Sequence, residues 1–146
     1  MTADGLRLLA EDADGLGVIA AAVQDALARP QDIRFDRKSR SFGLEINRFQ
    51  WERAGRKAPY FRSRAVLAFA GVLGVQSQAM PRGVDAVVGI LDVRFTPDAE
   101  PPGGEVSLLF AEGAQVRLRV ECLDVTLIDN GPVWPTRRKP DHGVAS

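Results

Sequence analysis

The sequence is short of the side chains that most often carry catalysis or bind metals. Its 146 residues include one cysteine, Cys122, and one histidine, His142. A single cysteine excludes an intramolecular disulfide and a multi-cysteine zinc site. His142 lies in a polar stretch near the C-terminus, which makes it a poor candidate for a Ser-His or Cys-His pair. We therefore expect no cofactor and no metal, and enzymatic activity has little support.

The lone thiol is also unlike a reactive one. Its neighbours Glu121 and Asp124 are acidic. A nucleophilic cysteine needs a basic, partly exposed setting. We expect Cys122 to be a small, buried or half-buried apolar residue.

Long apolar runs are missing as well. No stretch approaches the roughly 18 to 20 apolar residues that a membrane helix needs, and the first residues do not resemble a secretory signal. The length fits one domain. We predict a cytoplasmic protein with a single domain over residues 1–134 and a flexible polar tail over residues 135–146, and no membrane partner.

Hydrophobic spacing predicts one helix near the N-terminus. Apolar residues recur at helical intervals from Leu16 to Leu27. Either Asp12 or Asp14 can cap its first turn. Pro30 is expected to end the helix, because proline disfavours helical geometry at the residue before it.

Alternating apolar and polar residues predict strands over most of the remaining chain. Two hairpins are indicated, one near residues 33–47 and one around the Glu112-Gly113 turn. Residues 62–77 resemble one long strand with two apolar faces, and residues 123–128 fit either a short helix or a last strand. The fold class is therefore α+β: a strongly twisted or partly closed antiparallel sheet of about seven strands, with one N-terminal helix and a short C-terminal element. A pleckstrin-homology-like or split-barrel arrangement is compatible with this order.

The net charge is zero, but the charges are unevenly placed. Residues 34–64 hold ten of the 19 lysines and arginines against three carboxylates, Asp36, Glu45 and Glu52. Aromatic side chains are interleaved with these cations, and such a segment can bind an acidic protein face or phosphates. The same pattern also fits a solvated sheet face whose aromatics close the core. The candidate binding residues are Asn47, Arg48, Trp51, Glu52, Arg53, Arg56 and Lys57.

Three segments together resemble a known family. They are residues 6–16, the run Asn47-Arg48-Phe49-Gln50-Trp51-Glu52, and residues 120–134. In this order and spacing they are similar to the alphaproteobacterial family called domain of unknown function 2948. The resemblance implies a single small cytoplasmic bacterial domain, and it carries no catalytic residues.

The leading functional hypothesis is a non-enzymatic protein-interaction module centred on Arg48, Trp51, Arg53, Arg56 and Lys57. One alternative is a small-molecule domain or weak enzyme with a sheet-lined pocket, in which Arg48 binds an anionic group and Glu52 acts as an acid or base. A deep apolar pocket near these two residues would favour that alternative. Weak nucleic-acid binding through residues 34–64 is a third hypothesis, and a homodimer through a strand edge stays open.

Overall fold

The computed structural model describes residues 5–140, which form one α-helix and nine β-strands. In chain order the elements are β1 (Arg7–Ala10), α1 (Ala13–Val23), β2 (Leu27–Asp36), β3 (Ser41–Phe49), β4 (Tyr60–Phe69), β5 (Val72–Gln78), β6 (Val88–Pro97), β7 (Gly104–Phe110), β8 (Gln115–Val120) and β9 (Val125–Thr136). Short 3-10 turns lie at Trp51–Arg53 and Ala111–Gly113.

All nine strands join one antiparallel sheet in the order β1-β9-β4-β3-β2-β6-β7-β8-β5. The α+β class with one helix is therefore confirmed. The predicted number of about seven strands is wrong, and the sheet of residues 5–140 is not closed, since β1 and β5 stand at its two ends.

The two additional strands have local causes. The segment predicted as one long strand is divided into β4 and β5 by a bend at Gly71, whose φ of 68° is easily adopted by glycine. The chain after Leu123 forms β9 and runs past Asn130-Gly131-Pro132, where the sequence predicted a stop. A register shift opposite Ser63 and Ala65 accommodates this stretch, and such irregularities are where a strand tolerates proline.

The helix begins as predicted but ends earlier. The Asp12 carboxylate caps it by accepting a hydrogen bond from the Gly15 N–H at 2.7 Å. The last helical residue is Val23, and Asp25 adopts a positive φ of 62° that turns the chain. Pro30 therefore does not end the helix; it lies inside β2, where the pairing with β3 is interrupted between Ala28 and Ile33.

The core forms between the helix and the inner face of the curved sheet. Leu16, Ile19 and Val23 of α1 are buried, and the helix packs mainly on β6 and β1. Alternate residues of the strands complete this core, which includes Phe42, Leu44, Ile46, Leu67, Phe69, Ile90, Leu108, Leu118, Val125 and Leu127.

Two further predictions concern the last third of the chain. The Glu112-Gly113 turn joins β7 and β8 as expected, with positive φ at both residues. The prediction that Cys122 is buried is wrong, because it lies exposed in the turn after β8. Strand β9 continues to Thr136, so its last two residues fall within the predicted tail. His142 lies outside the described residues.

Candidate functional site: a buried arginine and a basic cleft

Arg48 occupies the inner face of β3 and is fully buried. Its guanidinium donates two hydrogen bonds to Asp129, from Nε to Oδ1 and from Nη2 to Oδ2, both at 2.8 Å. It donates two more to Glu52, from Nη1 at 3.0 Å and from Nη2 at 2.6 Å. Asp129 Oδ2 also accepts the Leu6 N–H at 2.9 Å. We call Arg48, Asp129 and Glu52 the arginine cluster.

The electrostatics of the cluster keep all three groups charged. Burial alone lowers the pKa of Arg48, but the hydrogen bonds and charges of Asp129 and Glu52 outweigh this and raise it above its usual value. Burial raises the pKa of both carboxyls, but the Arg48 guanidinium reverses this and holds each pKa below its ordinary value. Glu52 is therefore fixed as a carboxylate, which makes it a poor acid or base near neutral pH.

These contacts change the role expected for Arg48. A guanidinium that is buried and already paired with two carboxylates cannot receive an anion from a partner, so the placement of Arg48 at the centre of a binding surface does not fit the structure. Arg48 and Glu52 do face each other. The cluster joins β3, β9, the Trp51–Arg53 turn and the chain before β1, which makes it a structural link.

Trp51 belongs to a small aromatic group beside the arginine cluster. Its ring meets Phe49 edge-on with centroids 4.6 Å apart, and Phe49 lies 5.7 Å from Tyr60. The indole N–H donates to the carbonyl of Gln24 at 2.9 Å. Trp51 is thus half-buried and tied to the chain after α1. This matches the alternative in which aromatics of this segment close the core.

The other predicted residues lie around this aromatic group. Asn47 accepts a hydrogen bond from Arg62 Nη1 at its side-chain oxygen, at 3.0 Å. The Arg53 guanidinium lies 4.0 Å from the centre of the Phe61 ring, an arrangement that favours the cation electrostatically. Arg56 and Lys57 are exposed in the loop before β4.

A basic cleft lies beside these residues. It has a volume of about 720 Å³ and is lined by Leu27, Arg62, Thr136, Arg137, Arg138, Lys139 and Pro140. Pairing of Tyr60 with Thr136 brings the end of β9 to the start of β4. The chain beyond β9 then places the Lys139 ammonium 6.0 Å from the Trp51 ring.

Sequence reasoning missed three of these cations. Arg137, Arg138 and Lys139 are consecutive in the sequence, and this run was visible, but it was assigned to the flexible tail. The run lies about 75 residues from Arg62 along the chain. Only the pairing of β4 with β9 brings the two together, and no local sequence pattern indicates that pairing.

The clefts give little support to the small-molecule alternative, which a deep apolar pocket near Arg48 and Glu52 would favour. Neither residue lines a cleft described here. A second cleft of about 570 Å³ lies where β2 departs from β3, between Leu27, Asn47, Arg64 and Trp134. Its charged rim is already paired, Arg29 with Asp32 at 3.4 Å and Arg64 with Glu45 at 4.0 Å. Within residues 5–140 no three metal-ligating side chains converge.

The comparisons with known proteins agree with the resemblance seen in the sequence. The family model described as Protein of unknown function (DUF2948) matches residues 6–142. No curated protein and no solved structure matches the chain significantly. Across residues 5–140, no helix is long and apolar enough to cross a membrane. Since the match covers nearly the whole chain, this protein belongs to the DUF2948 family.

Proposed function

We propose that this domain is a non-enzymatic interaction module that binds an acidic protein segment at one end of its sheet. We call this region the basic end, and its cations are Arg53, Arg56, Lys57, Arg62, Arg137, Arg138 and Lys139. The single observation that carries the proposal is the composition of the basic cleft, whose lining within residues 5–140 includes four cations and no carboxylate.

The arrangement of charge supports an acidic partner. The chain as a whole is neutral, so a concentration of cations at one end creates a local field that can steer and orient an acidic surface. Two carboxylates close to this end already interact with arginines of the protein. Glu52 is paired with Arg48, and the charge of Asp25 acts on Arg62.

The aromatic side chains favour a protein partner over a nucleic acid. Sequence-tolerant binding of single strands uses aromatic faces on which bases stack. Trp51 is packed edge-on against Phe49 and its N–H is engaged, while the Phe61 ring is covered by Arg53. Leu27 lines the cleft and is 40% exposed, which offers an apolar contact to a side chain of a bound segment.

The proposal is tested with labelled oligoglutamate and a labelled single-stranded oligonucleotide of equal charge, titrated with the full chain. We expect the peptide to bind more tightly than the oligonucleotide. Its affinity should fall as salt is added, because salt screens exposed charges. The test variant is Arg137→Glu/Arg138→Glu, which should abolish peptide binding.

The control variant, Arg34→Glu/Arg37→Glu, makes the same charge change elsewhere. Arg34 pairs with Gly43 close to the turn of the β2–β3 hairpin. Arg62 of the cleft pairs with Phe49, at the opposite end of β3. This control should retain binding. Equal loss in both variants would show a general charge effect, and tighter binding of the oligonucleotide would favour a nucleic-acid module; either result overturns the proposal.

A further inference from the structure

The basic cleft differs from a general cationic surface because one of its arginines is held in place. Arg62 is half-buried on β4, opposite Trp134. Its Nη1 donates to the backbone carbonyl of Asn47 at 3.2 Å and to the side-chain oxygen of the same residue at 3.0 Å. Both bonds come from Nη1 and tether the guanidinium to Asn47, so less side-chain entropy is lost when it binds a ligand.

The other cations approach Arg62 from the chain after β9. Arg137, Arg138 and Lys139 line the same cleft, as does Thr136. The Thr136 hydroxyl oxygen accepts the Arg138 N–H at 3.4 Å, which turns the chain back on itself. The cleft thus combines planar guanidinium forks, one ammonium and one hydroxyl.

This set of donors matches a tetrahedral oxyanion with two charges. Arginine forks bind phosphate in a bidentate manner, and lysine adds a point charge. A phosphate monoester has three acceptor oxygens and a charge near −2 at neutral pH, whereas a glutamate side chain has two oxygens and one charge. Burial lowers the pKa of Arg62, and the nearby charge of Asp25 compensates only in part. A dianion beside this guanidinium would further favour its charged form.

We propose that the basic cleft is a subsite for a phosphate monoester dianion, carried by a phosphorylated side chain of the bound segment. The inference rests on the proposed function for the source of the phosphate, because the acidic segment is what delivers it. The cleft contacts require only the phosphate group itself. Inorganic phosphate and free phosphoserine therefore test the alternative source, a small free phosphate compound.

The experiment compares three labelled oligoglutamate peptides that differ at one central position, which is serine, glutamate or phosphoserine. We expect the phosphoserine peptide to bind about tenfold more tightly than the glutamate peptide, since the phosphate adds a third acceptor oxygen and a second negative charge. Inorganic phosphate should compete weakly with it. The preference should shrink as the pH falls below about 6, where the phosphate gains a proton.

Variants assign the preference to the cleft. Arg62→Gln removes the fixed fork, and Arg62→Lys keeps the charge without the fork. Arg62→Gln should abolish the preference for phosphoserine, and Arg62→Lys should retain part of it. Arg34→Gln/Arg37→Gln is the control and should leave the preference unchanged. Circular dichroism and thermal unfolding establish that each variant is folded, and Arg137→Gln/Arg138→Gln provides an independent test outside the β-strands.

The outcomes separate the two proposals. Equal affinity for the glutamate and phosphoserine peptides, with binding still lost in Arg137→Glu/Arg138→Glu, would overturn the phosphate subsite and leave the acidic-segment module standing. Free phosphoserine or inorganic phosphate binding as tightly as the peptide would overturn a phosphorylated segment as the source. Failure of all three peptides to bind would overturn both proposals.

Discussion

The arginine cluster and the basic cleft lie at the same end of the sheet and use the same kind of side chain differently. In the cluster, one guanidinium faces two carboxylates and is fully enclosed by protein. In the cleft, four cations line an open space, and no carboxylate of the described part of the chain lines it. Arg48 and Arg62 belong to one basic segment, yet one points into the protein and the other lines the cleft.

The difference shows that charge in a sequence becomes available for binding only where the fold leaves it unmatched. A buried ion pair balances desolvation against Coulombic attraction and hydrogen bonds, and its loss is felt as instability. An exposed cation contributes little to stability but can contribute to association. Substitutions in the cluster should therefore change folding, and substitutions in the cleft should change binding.

The largest effect is expected from Asp129→Asn. The variant leaves the buried Arg48 with only Glu52 as a charged partner, and removing one partner of a buried pair costs about 3 to 5 kcal/mol. Denaturant unfolding of the wild type and the variant measures the change in the free energy of unfolding. Glu52→Gln is the matched control. Because the Glu52 side chain is 40% exposed, its removal should cost about 1 kcal/mol or less. Equal losses in the two variants would contradict the assignment of Asp129 as the main partner.

The next effect concerns pH. The pKa of Asp129 lies below its ordinary value of 3.8 in the folded protein. A carboxyl with a lowered folded-state pKa stabilises the fold fully above its unfolded pKa, and this stabilisation is lost as the pH falls through the folded value. The wild type should therefore lose its advantage over Asp129→Asn as the pH falls below about 4. A difference in unfolding free energy that is constant from neutral pH to strong acid would contradict this assignment.

A smaller effect is expected from Trp51→Phe. The substitution keeps an aromatic ring against Phe49 but removes the N–H that donates to the Gln24 carbonyl, a bond of the kind that contributes about 1 kcal/mol. Thermal and denaturant unfolding measure the loss. Trp134→Phe is the control, because no hydrogen bond from its indole is found in residues 5–140, so the loss should be smaller. A greater loss for Trp134→Phe would show that Trp51 is not the anchor of this end.

The smallest change in stability is expected from the cleft. Arg137→Gln/Arg138→Gln should leave the unfolding free energy unchanged within error, because these exposed residues follow the last strand. The same variant should lose binding to acidic peptides. A clear loss of stability would show that the run after Thr136 is part of the folding core, and the contrast with the arginine cluster would disappear.

Part of this arrangement could be predicted from the sequence. Alternation identified both hairpins, and the choice of Asp12 or Asp14 as a cap placed the start of the helix to within one turn. The same alternation contained a clue that was not used: Phe42, Leu44 and Ile46 face the core, so Arg48 has the inward parity too. A buried arginine requires a buried carboxylate.

The identity of that carboxylate could not be predicted. Asp129 lies 81 residues away from Arg48, and no local pattern links them. The same limit applies to the cleft, whose cations come from β4 and from the chain after β9. The sequence was most informative where a structure depends on neighbouring residues and least informative where long-range strand pairing creates it.

The most direct test of the account is a titration of ¹⁵N-labelled protein with inorganic phosphate, followed through the arginine Nε–H signals in NMR spectra. Arg48→Lys and Arg62→Lys spectra assign the two signals. We expect the Arg62 signal to shift and saturate, while the Arg48 signal stays in place and its Nε–H exchanges slowly with water. A shift of the Arg48 signal with phosphate, or an unchanged Arg62 signal, would contradict the division between a structural arginine and a binding one.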